Sequence, residues 1–281
     1  MRSVHSPVPT DRTAPPGLHH PLALRRSLRR GWRGFNRTAG RFVIFMLIAE
    51  LISEVSRFLV LFGSSAPEQG GPDPVVAAFS LMAGLGLTLF IHWWMTVGLL
   101  RGAWLGLTGA QPRLADLLRW DGESLGRWSA MSLLILGILA LGGLATGLIA
   151  WLMTLLLPPL APVVLVLGIL MASVVLLSQL FSLPLVLMER ISAPDAFRLG
   201  VEGLRHHPIS WLLLGLIQIL PQILMLATHG LGGGLVLGVR LVTLPLAMCI
   251  LTAAYLDRGE PTALVNGIQP APETDWPGSS G

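Results

Sequence analysis

Four charged side chains stand inside stretches that are otherwise apolar: Glu50, Glu54 and Arg57 in one, Arg240 in another. Glu50 and Glu54 are four residues apart and Arg57 follows three later, so a helix places all three on one face. Away from water such a set has three uses: a proton or ion relay, a polar patch that binds a substrate, or an internal charge network that fixes helix packing. The charges nearly balance, which favours the packing network. His92, in His92-Trp93-Trp94, has the chemistry to ligate a metal or pigment. No second ligand stands at helical spacing, and a His beside paired Trp suits a membrane interface. Gln179, Gln218 and Gln222 fall in further apolar stretches and could line a polar path, although hydrogen bonds between helices are their commoner use.

Motifs for catalysis are missing. His206 and His207 lie near Glu189 and Asp195 in sequence, but there is no G-x-S-x-G and no H-E-x-x-H. The glycine-rich run at 231–238 lacks the Lys of a phosphate loop. Gly234 and Gly238, like Gly143 and Gly147, have instead the spacing of small residues at close helix contacts. Cys249 is the sole cysteine, which excludes an intramolecular disulfide and a Cys-based metal cluster. The sequence therefore assigns no catalytic residue, no metal ligand and no cofactor, and the expectation is a protein that is not an enzyme.

These residues are positioned by apolar segments. Of 281 residues, 53% are apolar and 12% charged, against about 25% charged in soluble domains; the mean hydropathy is +0.70. Crossing a bilayer takes about 20 apolar residues per helix, and six runs qualify: 42–62, 75–100, 129–157, 162–188, 209–228 and 231–255. The first is the weakest, because Glu50, Glu54 and Arg57 interrupt it. It does not read as a cleaved signal peptide, since it starts after forty residues and Pro67 follows its one small-residue site. Every basic residue is Arg and the pI is near 10.8. Nucleic-acid binding would need a basic patch on a soluble fold; here the Arg residues lie between apolar runs. Nine precede the first run, four lie at 101–128, three at 189–208 and one after the last, whereas 63–74, 158–161 and 229–230 hold none. Positive residues mark the cytoplasmic side, so both termini are expected inside.

Residues 1–21 and 258–281 read as disordered cytoplasmic tails flanking a membrane domain at 22–257. Between 22 and 36, Leu24, Leu28, Trp32 and Phe35 share one helical face and Arg25, Arg26, Arg29, Arg30 and Arg33 cover the rest, an amphipathic helix suited to anionic lipids. Leu114, Leu117 and Leu118 suggest a second such helix after Pro112. Ser192-Ala-Pro-Asp195 opens a third with capping-box spacing, Asp replacing the usual Glu or Gln; Phe197, Val201 and Leu204 form its stripe, and His206-His207-Pro208 ends it. The expected fold is an all-α polytopic bundle of six transmembrane helices in three hairpins, each preceded by a cytoplasmic amphipathic helix. Pro184, Pro221 and Pro245 are expected to kink the last three spans.

The stretch FSLPLVLMERISAPDAFRLGVEGLRHHPISWLLLG (181–215) resembles a signature of bacterial six-span membrane proteins. The likeness is to the YciC-type proteins and to the membrane region fused to some glycerophosphoryl diester phosphodiesterases. It is carried by Pro184, Glu189, Ser192-Ala-Pro-Asp-Ala196 and His207-Pro208, with weaker echoes at 101–119 and 242–257. The resemblance implies the fold and a place in the bacterial cytoplasmic (inner) membrane. It carries over no catalytic residue, because in the fused proteins the chemistry belongs to a separate soluble domain.

Three functions are compatible with this reading. The first is a non-catalytic membrane protein acting through assembly, scaffolding or envelope maintenance, with the bilayer, anionic lipids and a membrane protein as partners. The second is a transporter or channel using the intramembrane charges, and the third is an intramembrane enzyme, for which no cluster of His and acidic residues is evident. Depth arithmetic adds one contact. At 1.5 Å per residue Glu54 lies ~18 Å from the inner side and Arg240 ~17 Å. That predicts a Glu54–Arg240 pair; its rival is Glu54 with Arg57, leaving Arg240 to lean outward or to contact Glu50.

Overall fold

The computed structural model describes residues 23–65, 72–228 and 233–259, and every regular element among them is helical. The tails at 1–21 and beyond 259 lie outside the described residues, as do His19-His20, Pro67 and residues 231–232.

α1 (Leu24–Ser64) is one unbroken helix of 41 residues. The Arg-rich segment and the first apolar run, expected as two helices, are thus one. No Pro intervenes, and a lone Gly40 costs a helix only about 1 kcal/mol relative to Ala. α2 (Pro74–Thr108) also outruns its apolar stretch. It opens on Asp73, whose side chain accepts from the Val75 N–H at 2.9 Å, and closes on Gly109 in the left-handed region at φ 95°. α3 (Leu114–Leu118) is little more than a turn, with Leu117 fully buried. α4 (Gly122–Leu156) is capped by Asp121.

The run expected at 162–188 as a single helix is broken. After a 3-10 turn at Pro158–Leu160, α5 (Ala161–Ser178) stops and α6 (Ser182–Met188) starts after three intervening residues. Pro184 explains the stop: in a continuous helix its ring would meet the carbonyl of Leu180, and it has no N–H to bond. Pro184 sits instead in the first turn of α6. α7 (Ala193–His206) has the limits its sequence announces. The Ser192 hydroxyl accepts from the Asp195 N–H at 3.4 Å and donates to Asp195 Oδ2 at 2.5 Å. His207 then ends it, and α8 (Pro208–Thr228) leaves at 115°. Pro221 lies inside α8 and Pro245 inside α9 (Gly233–Gly259).

Four segments are long and apolar enough to cross a membrane: α2, α4, the Pro158–Met188 unit and Gly234–Arg258 of α9. A fifth is added if α7 and α8 form one bent span. This is an all-helical membrane protein. α1 is not among the four, since Glu50, Glu54 and Arg57 interrupt its apolar part.

α1 packs along α2 and α9, α4 along α5, and α8 along α9. Glycines let α1 and α2 close up: a Cβ on Gly98 would lie 2.6 Å from the Phe45 ring, and one on Gly102 would lie 2.6 Å from Phe42. Gly143, Gly147, Gly234 and Gly238, by contrast, have nothing within 4 Å of an added Cβ, so the close contacts expected there are not made among the described residues. The amphipathic helices bury small residues together with part of the apolar stripe. In the part of α1 before Arg41 the buried residues are Ser27, Gly31, Gly34, Phe35 and Thr38, while Leu28 and Trp32 are exposed. In α7 they are Ala196, Gly200 and Gly203. Small residues let the backbones approach; of the large stripe residues Leu24, Phe197 and Leu204 are partly buried against the core, and only Leu28, Trp32 and Val201 are exposed.

Candidate functional site

α1, α2 and α9 bring the sequence's charged residues to one place. The antiparallel register of α1 on α2 is set by Gly84 against Val60 and Gly98 against Phe45. Glu50 therefore falls beside the His92 turn, and Glu54 one turn further along. Ser56 donates to the Gly84 carbonyl at 2.8 Å and also bonds Thr88, pinning the two helices at the cluster's edge.

Arg240 enters from α9. Its Nη1 lies 2.8 Å from Glu50 Oε1 and 2.9 Å from Oε2, with hydrogen-bond geometry to Oε2 alone. Arg57 closes on Glu54 at 2.5 Å and approaches Glu50 at 3.7 Å. The expected Glu54–Arg240 pair does not form; Arg240 takes Glu50, one turn away. The depth arithmetic failed because it measured α1 from Phe42, and an unbroken 41-residue helix has no end there. His92 is exposed on α2 near Arg240. The side chains grade from covered to open: Glu50 is 9% exposed, Arg240 23%, Arg57 54% and Glu54 60%.

The glutamines do not join this cluster. Gln179 donates to Ser178 Oγ at 2.8 Å and to the Phe197 carbonyl at 3.4 Å, tying the α5–α6 break to α7. Gln218 donates to the Ala247 carbonyl at 2.8 Å and holds α8 on α9. Gln222 is exposed on its own. His206 and His207 stand at the α7–α8 corner, and among the described residues no group of three His, Cys, Asp or Glu side chains converges as metal ligands would.

Two further arginines, counted from sequence only as loop charges, have specific places. Arg101 is 2% exposed; its Nη1 donates to the Asp116 and Arg119 carbonyls at 3.0 and 3.1 Å, and its Nη2 meets Asp121 Oδ2 at 3.3 Å. It is the buried post around which the α2–α4 connection folds. Burial pushes the Asp121 carboxyl up, but hydrogen bonds from the Ser124 hydroxyl and N–H, with Arg101 and Arg119 nearby, outweigh it and hold the group below its ordinary value. Arg258, assigned from sequence to the tail, belongs to the last turn of α9 and is 4% exposed. Asp257 beside it accepts from Arg30 Nη1 at 2.8 Å and from the Ser27 hydroxyl at 2.9 Å, docking α9 on the Arg-rich part of α1. Arg25, Arg26, Arg29, Arg30 and Arg33 line a concave surface there.

Compared with known proteins, the chain matches no family model, no curated protein and no solved structure.

Proposed function

We propose that this is a non-catalytic integral protein of the bacterial cytoplasmic membrane that acts through assembly, with the Glu50–Glu54–Arg57–Arg240 flank as the contact between two copies. In this reading it crosses six times, as three hairpins with both termini inside. The Arg distribution supports the orientation. α8 after its bend supplies the fifth span, and α1, with Glu50 neutralised by Arg240, supplies the sixth. The Arg-lined face of α1, with Leu28 and Trp32 exposed beside it, suits an anionic leaflet.

The carrying observation is that the charge cluster opens outward, with Glu54 and Arg57 more than half exposed. Facing hydrocarbon, such groups are costly and call for polar partners. Two carboxylates and two guanidiniums side by side are self-complementary: a copy turned by a two-fold axis presents acid to base. Gln179 and Gln218 bond to neighbouring helices instead of lining a path to the cluster, which favours assembly over transport.

With Cys249→Ser, a single cysteine at Phe58, one turn from Glu54, is expected to cross-link to its counterpart in membranes, and one at Leu141 on α4 is not. Absence of the Phe58 cross-link, together with ion flux in liposomes that Glu50→Gln abolishes, would replace this reading with the transport one.

A further inference from the structure

Arg258 is a buried cation whose Nε, Nη1 and Nη2 have no hydrogen-bond partner among the described residues. The guanidinium carbon lies 4.7 Å from the Phe181 ring centre and 5.4 Å from that of Trp211, and both rings are fully buried. Phe181 and Trp211 meet edge-on at 4.9 Å, and Tyr255 completes the group 6.0 Å from Phe181. The Trp211 Nε1–H is a second buried donor with no acceptor among the described residues. Carboxylates from adjacent turns are already engaged: Asp257 by Ser27 and Arg30, Glu189 by the Tyr255 hydroxyl at 2.9 Å.

Aromatic faces satisfy the flat sides of a guanidinium, but its five N–H groups point outward in the plane. Enclosing those donors unbonded costs more than ring stacking returns. A planar guanidinium fork matches the oxygens of a phosphate, which arginine binds in bidentate fashion, and the unbonded Trp211 N–H belongs to one of the rings it stacks on. Position along the helix narrows the source. Arg258 is 25 residues beyond Gly233, or about 38 Å along α9, which exceeds the ~30 Å hydrocarbon layer and reaches headgroup level. Next to Trp211, α8 exposes Leu212 and Leu216, at 59% each, as a flank for acyl chains.

We propose that Arg258, with the Trp211 indole N–H, binds the phosphate of a phospholipid headgroup at the end of α9. This stands independently of the assembly reading and requires only that α9 span the bilayer. A group this enclosed exchanges its ligand slowly, so bound lipid should travel with the protein through purification.

The test uses the full-length protein in non-ionic detergent. Native mass spectrometry of wild type is expected to show a retained phospholipid, and delipidated protein to gain thermal stability from dihexanoyl phosphatidylglycerol. Arg258→Met should abolish both, while its lipid-free melting temperature equals or exceeds that of wild type, because an uncompensated charge has gone. Trp211→Phe should weaken half-saturation about tenfold, as loss of one charge-matched hydrogen bond does. If Arg258→Met fails to accumulate, Arg258→Lys, which keeps the charge and loses the fork, serves in its place with the same expected loss of affinity. An equal gain from inorganic phosphate alone would keep the phosphate site and make free phosphate its ligand. The site is overturned if Arg258→Met keeps the full lipid-dependent gain, if that gain disappears instead in Arg25→Gln/Arg29→Gln/Arg33→Gln, or if Arg258→Met by itself lowers the lipid-free melting temperature.

Discussion

Arg240 on α9 closes on Glu50 of α1 across 190 residues of sequence, 2.8 Å from Nη1 to Oε1. It is the ion pair by which the last helix grips the first, and it is more covered than the Arg57–Glu54 pair beside it.

Neutralising one partner strands the other. Glu50→Gln and Arg240→Gln are each expected to lower stability by up to about 3 kcal/mol, and the double variant to recover part of the loss. Glu54→Gln, on a largely exposed pair, should cost under about 1 kcal/mol. Thermal unfolding in detergent reads all four. A Glu54→Gln loss equal to that of Glu50→Gln would mean that the pairs are assigned wrongly.

Asp121 makes stability depend on acid. Its folded-state value lies below the ordinary one, so the folded protein holds its proton less tightly than the unfolded chain. The stabilisation is complete above the ordinary carboxylate range and is lost as pH falls through the depressed value. The gap in melting temperature between wild type and Asp121→Asn should therefore be widest near neutrality and shrink on acidification. A gap unchanged down to strongly acidic pH contradicts this.

Topology is open to direct labelling. Ser124 is a poor reporter, being 6% exposed with its hydroxyl on Asp121 at 2.7 Å, but Glu123 beside it is open. In a Cys249→Ser background, an impermeant thiol reagent added to intact cells should modify Ser65→Cys and spare Glu123→Cys. Modification of both, or of position 123 alone, rules out six spans with the termini inside.

The α1–α2 seam sets a packing test. Gly98→Val drives a branched side chain into Phe45 and should cost about 1–3 kcal/mol. Gly143→Val, with open space around it, should change the stability of a single copy by under about 0.5 kcal/mol. Equal melting temperatures for the two variants would show that the glycine contacts at Gly98 do not limit the approach of α1 to α2.

Features decided within a few residues were legible in the sequence. Ser192, Asp195, His207 and Pro208 bound α7 because capping and proline chemistry act locally. The apolar runs announced long helices for the same reason. The α5–α6 break was obscured because Ser178, Gln179 and Ser182 dent the apolar run too little to end it; Pro184 was the further signal, and it was read as a kink. Glu50, Arg57 and Arg240 were legible as members of a network, but which carboxylate Arg240 takes depends on how far α9 slides along α1, a tertiary quantity. Arg101 and Arg258 were invisible for a related reason: a count of loop charges treats a buried post and an aromatic-caged cation as it treats any arginine.

The continuity of α1 ties its two ends by phase. At 3.6 residues per turn, each residue advances the helix by about 100°. Ser27 and Arg30 face Asp257 near one end, and Glu50 faces Arg240 further along, both partners belonging to the same neighbouring helix. A single residue inserted near Gly40 would swing one contact about 100° away from α9 while the other stayed in place. The helix works as a torsionally stiff shaft, so the facing of its arginine-bearing end and that of the buried carboxylate some twenty residues away are fixed together.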